Sequence, residues 1–368
     1  MKKNKIGVFL TLLFLLVMTY NIPVCAKEID TSEINRMMDE IFPKENITLE
    51  QMIVELLNGE NSVSANEIGE YISDIFSGIW SENKAVIATL LFLVIASAIF
   101  TNFSSVFQNR QVSEMGFYII YVLLITICMK AFQGTAATIT QFVKTLLSFM
   151  KILGPVYFLS MSVATGKISA VGFYNLLLLF IYIVELLILR FVLPLIRMYF
   201  MIHILNYLSE QKYLSKSSET IQLLVDWTLK SLLACVTGVS VIQGLLSPGV
   251  DEIKRGAIMH GVEIIPGIGD AIGATGEMAL GTAVLLKNGI GMAGAIVIIV
   301  IASIPFINMA IVTLVYKLLA AFIQPISDKR IVGMISGLSD VSRMLFRVVG
   351  SSTLLFLLTI GITATFTT

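Results

Sequence analysis

The sequence predicts an all-α, polytopic helical membrane protein, and three observations carry that prediction. Hydrophobic residues make up 56% of the 368 residues and charged residues only 14%, whereas a soluble domain carries roughly 25% charged residues. The mean hydropathy is +0.88, which is more apolar surface than a water-soluble fold can bury, so lipid has to cover the rest. The apolar residues also gather into long runs punctuated by proline and glycine. These runs give six to eight spans, with broken or kinked helices and a short exported helical segment ahead of them. The formal net charge is zero, so nothing global points to nucleic acid.

The first segment, 1–26, has the pattern of a secretory signal. Lys2, Lys3 and Lys5 precede an apolar run from Ile6 to Met18, which Asn21, Ile22 and Pro23 break. Val24, Cys25 and Ala26 then offer a cleavage site before Lys27. A lipoprotein cut at Cys25 and an uncleaved anchor are the other readings. In each case the chain that follows is exported. Residues 27–84 form an acidic head with 13 acids and 4 bases, while the remainder, 85–368, holds 18 bases and 12 acids. Thr48 with Gln51 and Ser64 with Glu67 have capping-box spacing. Ile34, Met37, Met38 and Ile41 make one apolar stripe. Met52, Ile53, Leu56 and Leu57 make a second, and Ile68, Ile72, Ile75, Phe76 and Ile79 a third. The head therefore reads as two or three short amphipathic helices packed on one another, on the membrane body or on a partner. A solvated spacer is the plainer reading.

The membrane body opens with expected spans at 85–107 and 116–132. Residues 135–162 carry Lys144 and Lys151, seven apart and hence on one helix face, before Pro155 interrupts; an interfacial helix running into a span fits them. The apolar run from Val171 continues past Pro194 to Leu208, a length of roughly 57 Å as one helix, longer than the ~30 Å hydrocarbon core. Pro194 either kinks it or divides it in two. A span at 229–246 is expected to end at Ser247-Pro248-Gly249. The run 291–323 has Pro305 in its middle, and 326–347 is amphipathic and basic enough for the positive-inside rule to place it in the cytoplasm. The last span is 348–366. Cys25, Cys128 and Cys235 offer no metal spacing, and no disulfide framework is expected.

Residues 249–294 contain eleven of the 26 glycines. Gly269, Gly273 and Gly281 recur at multiples of four, and Glu277 takes the intervening position. Small residues at this spacing let helix backbones approach closely, and an acid on the same stripe can face a neighbour or an aqueous cavity. Lys287 and Asn288 follow at the end of the stretch. With Pro266, it resembles the broken segments that line polar pathways in transporters. An amphipathic helix lying at the interface is the other reading. Glu185 sits deep in an apolar run, where a charge costs at least ~2.5 kcal/mol on insertion scales; it must be paired, protonated or facing a cavity. Arg190 and Arg197 share a face, and snorkelling explains them without further function.

Enzyme chemistry finds little support. Gly267-Ile268-Gly269-Asp270 matches the GxGD pattern of intramembrane aspartyl proteases, but the required second carboxylate has only Asp226 and Asp251 as candidates, both at span edges. His203 and His260 are the two histidines, too few and too separated for a zinc site or a triad. No P-loop is present. No cofactor and no catalytic residue are expected.

The C-terminal half carries a family pattern. Gly238-Val239-Ser240-Val241-Ile242-Gln243-Gly244, followed by Ser247-Pro248 and Asp251, resembles the stage III sporulation protein AE family of endospore-forming bacteria. So does Pro266 with Gly269 ahead of Leu285-Leu286-Lys287-Asn288-Gly289-Ile290-Gly291 and Gly294. Tyr316-Lys317, Ala320-Ala321 and Gln324-Pro325 with Asp328 complete it. The resemblance implies a non-enzymatic component of the channel or secretion-like complex that links mother cell and forespore, lying in the mother-cell membrane around the forespore. The partners it implies are other stage III A membrane proteins, an ATPase subunit and the forespore's stage II protein Q. A stand-alone secondary transporter using Glu185 and Glu277 as coupling acids is the alternative, and an intramembrane protease a more distant one.

Overall fold

The computed structural model describes residues 65–104, 110–165, 179–184, 186–208, 213–262 and 269–365, with side-chain surroundings defined over narrower parts of these helices. The expected signal segment 1–26 and most of the expected acidic head lie outside the described residues. Among those described, every regular element is helical. In chain order they are α1 (Ala65–Ser104), α2 (Arg110–Thr165), α3 (Leu193–Leu208, led by a π-helical turn at Ile188–Val192), α4 (Ser215–Val262), α5 (Gly269–Ile323) and α6 (Lys329–Thr365). Among the described residues, six helices are long and apolar enough to cross a membrane. The chain is an all-α polytopic membrane protein.

Several expected interruptions are absent. The spans expected at 116–132 and 135–162 belong to one continuous helix, α2, which passes through Pro155. Helix α5 likewise passes through Pro305, and α4 runs through Pro248 rather than ending there. Proline removes one backbone donor and crowds the carbonyl four residues back, which bends a helix but need not end it when packing holds both halves. Pro194 has a visible remedy. The Leu193 N–H donates to the Ile188 carbonyl, five residues back, so the helix widens into a π turn just where Pro194 offers no donor. The run Leu179–Leu208 is accordingly a single candidate span of 30 residues. Helix α1 crosses the expected head–body boundary at 84/85 without a break.

The core is one contiguous apolar cluster that includes Leu124, Leu146, Phe149, Phe200, Leu345 and Phe356. Helix α6 lies at its centre, packing on α5 most extensively and also on α2, α3 and α4. Its buried face (Ile331, Met334, Ile335, Leu338, Val341, Leu345, Val348) recurs at three- and four-residue steps, as helix geometry requires. Helices α5 and α6 run antiparallel, with Phe306 against Phe346 at 4.5 Å between ring centroids and the Ser339 hydroxyl donating to the Thr313 carbonyl at 3.1 Å.

Candidate functional site

The residues singled out from sequence fall unevenly in the structure. Glu185 lies outside the described residues. Gly269, Gly273, Glu277, Gly281 and Lys287 all lie on α5, and the helical backbone keeps the four-residue spacing of the first four on one slowly turning face, with Lys287 six residues beyond it; their side-chain surroundings lie outside the described parts. Asn288 is exposed, at the start of the apolar run of α5. The stretch expected to be broken is helical from Gly269 onward. Close packing is visible where its last glycines are described: a Cβ on Gly294 would sit 2.6 Å from Leu153 Cδ2, and one on Gly291 3.1 Å from the Tyr157 hydroxyl. These two glycines bring α5 against α2.

A polar seam between α3, α4 and α6 is the best-formed cluster. Tyr199, His203 and Tyr207 stack along one face of α3, with ring separations of 5.6 and 4.9 Å. They meet α6 at Gly333 and Gly337. Added Cβ atoms there would come within 1.9 Å of the Tyr207 ring and 2.1 Å of the His203 ring. His203 Nε2 donates to the Gly333 carbonyl at 3.0 Å, which fixes the tautomer, since a carbonyl only accepts. Both glycines are needed because α6 carries no side chain where the two rings enter. At one end of the seam, buried Asn206 accepts from the Leu214 N–H (2.9 Å) and donates to the Ser215 hydroxyl (3.1 Å), closing the turn from α3 to α4. Asp328 accepts from the Arg330 N–H at 2.8 Å and so caps α6. The Arg330 guanidinium lies 4.0 Å from the centroid of the Phe117 ring on α2. Further along, Arg347 Nη1 donates to both oxygens of Asp226, at 2.5 and 2.6 Å, pinning α6 to α4.

The seam is a clamp rather than a reaction centre. Asp226, a candidate partner for Asp270 in protease chemistry, is engaged by Arg347 instead of a second carboxylate. His203 is spent on a backbone carbonyl. No group of three or more His, Cys, Asp or Glu side chains with metal-binding geometry occurs among the described residues. The sequence reading missed this cluster, although Gly333-Met334-Ile335-Ser336-Gly337 displays the small-xxx-small signal openly. The charges around it drew residues 326–347 into an extramembrane assignment.

A second feature lies on the outer face of α2. From Met115 to Thr126 that face is apolar and exposed, with Met115, Tyr118, Ile119, Val122 and Leu123 turned outward. From Lys130 onward it becomes polar: Lys130, Gln133, Thr138, Gln141, Lys144, Ser148 and Lys151 are all exposed. Steps of three and four, with one of five between Gln133 and Thr138, keep them in one broad stripe. The opposite face stays buried throughout, through Ile139, Phe142, Leu146, Phe149 and Leu153.

Comparison with known proteins decides the family. The family pattern described as stage III sporulation protein AE matches residues 47–367. The chain belongs to the stage III sporulation protein AE family. Stage III sporulation protein AE of Bacillus subtilis (strain 168) is 25% identical over 348 residues, covering 92% of this chain and 86% of that protein. No solved structure matches. Membership in the stage III sporulation protein AE family carries a role in sporulation, and the match takes in all six apolar helices.

Proposed function

We propose that the chain is a non-enzymatic membrane component of the channel or secretion-like complex joining mother cell and forespore. It lies in the mother-cell membrane around the forespore, with the mature N-terminus outside the cytoplasm. Its companions in this reading are other stage III A membrane proteins, an ATPase subunit and stage II protein Q. The observation that carries the reading is the family match over 47–367. The structure's support is of a different kind. The His203–Gly333 contact and the Asp226–Arg347 pair tie α3 and α4 to α6, giving a packed multi-helix body of the sort an assembly can be built on. The transporter alternative rests on Glu185, outside the described residues, and on Glu277, whose side-chain surroundings lie outside the described parts.

Deletion of the gene tests the reading. The expected outcome is normal vegetative growth and solute uptake, with development halting once the forespore is enclosed and spore yield falling by orders of magnitude. Altered uptake or efflux in vegetative cells, with normal sporulation, would overturn it.

A further inference from the structure

The geometry points to the lysine-bearing stripe of α2 as the docking surface for the chain's own acidic segment, residues 27–64. The inference goes beyond the proposed channel role and does not depend on it. Its first support is what cannot meet the stripe. Helix α5 packs on the buried face of α2, where Gly291 and Gly294 face Tyr157 and Leu153, so the polar stripe is turned away from α5. At the same level the free flank of α5 is apolar, with Met292 and Ile299 exposed. One level of the bundle thus presents oil on one flank and lysine, glutamine, serine and threonine on the other. Lipid chains suit only the first.

Charge is the second support. Between Met115 and Thr165, α2 has three lysines and no acid. Residues 27–64 hold nine acids and three bases. Position is the third. Helix α1 leads into α2 through the short link 105–109, and Ile79, Trp80 and Asn83 face Val312, Val315 and Tyr316 of α5. Counting back along antiparallel α2 and α5 from the Leu153–Gly294 contact puts that level roughly 20 residues before Leu153, near Phe132. Ala65, a further four turns up α1, therefore enters the bundle beside the Ser148–Lys151 end of the stripe. The acidic segment ends where the lysine stripe ends. Segment 27–64 is ample to run along Lys130–Lys151, a rise of about 32 Å.

Zero-length carbodiimide cross-linking of the detergent-solubilised full chain, mixed with an isotopically heavy copy, tests this. The expected products join Lys130 or Lys144 to acids within 27–64 of the same chain. Their yield should fall severalfold between about 0.1 and 1 M salt, as the Debye length shortens from about 10 to 3 Å. A second measurement keeps the idea exposed if cross-linking is inefficient. Changing the nine acids of 27–64 to their amides should raise the rate at which an amine-acetylating reagent labels Lys144 severalfold. Products joining only light to heavy chains would show that a second copy covers the stripe, and would overturn the proposal. So would links confined to acids outside 27–64. No links, with Lys144 acetylated equally fast in both proteins, would show a stripe open to water and overturn it as well.

Discussion

Gly333 and Gly134 are both helical glycines, and the structure gives them opposite consequences. A methyl group on Gly333 meets the Tyr207 ring, whereas one on Gly134 meets nothing within 4 Å. Gly333→Ala should destabilise the fold by about 1–3 kcal/mol, the usual cost of overpacking. Gly134→Ala should stabilise it by up to about 1 kcal/mol, because alanine loses less backbone freedom in a helix. Thermal unfolding midpoints in one detergent would move in opposite directions, and a shift of the same sign at both positions would refute the packing argument. The Asp226–Arg347 pair makes a second prediction at this scale. Arg347→Asp leaves two carboxylates facing one another and should cost on the order of 1–3 kcal/mol. The exchange Asp226→Arg with Arg347→Asp should recover most of that, measured by unfolding midpoint and membrane protein level; no recovery would mean that the pair does not join α4 to α6. Asp226 and Arg347 are 121 positions apart. Local spacing rules reach about one or two helical turns, so nothing in the sequence could match these two. Gly333 and Gly337 were legible, since their spacing is itself the signal; their charged neighbours masked it.

At the scale of elements, the sequence identified the helical, membrane-spanning character well and the joints poorly. Apolar runs are a direct record of lipid and core contact, so Leu179–Leu208 and Asn288–Ile323 could be found by inspection. Proline is a local signal whose outcome is decided by packing. At Pro155, Pro248 and Pro305 the helix carries on, while at Pro194 it widens into a π turn. Helix α2 shows the same division. Its apolar first half and its lysines were visible, but the length of the polar stripe appears only when both halves are seen as one helix. A prediction belongs here. Spin labels at Ile119 and Val122 should be relaxed more strongly by oxygen, which concentrates in lipid, than by a polar nickel chelate. Labels at Gln133 and Gln141 should show a lower oxygen-to-nickel ratio. Equal ratios at all four sites would contradict the change of surroundings at Lys130.

The whole molecule has a sidedness set by its links. Arg330 on Phe117, the Tyr121 hydroxyl donating to the Ile204 carbonyl at 3.4 Å, and Tyr207 against Gly333 bring the start of α2, the end of α3 and the start of α6 together. The start of α2, the end of α3 and the start of α6 therefore mark one end of the bundle. Six spans return the C-terminal end of α6 to the end from which α1 enters. The sequence left the parity of spans open at Pro194 and Pro305; helices that continue past both give six among the described residues, an even number. Placing the linked end in the cytoplasm agrees with Lys329 and Arg330 at the start of α6 and with the proposed export of the head. The most direct test uses single cysteines at Gln108, Glu210, Ser327 and Asn61, in protein whose exposed Cys235 is replaced by Ala, and a membrane-impermeant maleimide. Asn61 should be labelled in intact protoplasts, and Gln108, Glu210 and Ser327 only after the membrane is opened. Labelling of any one of those three in intact protoplasts, or protection of Asn61 together with them, would contradict the six-span, one-ended arrangement.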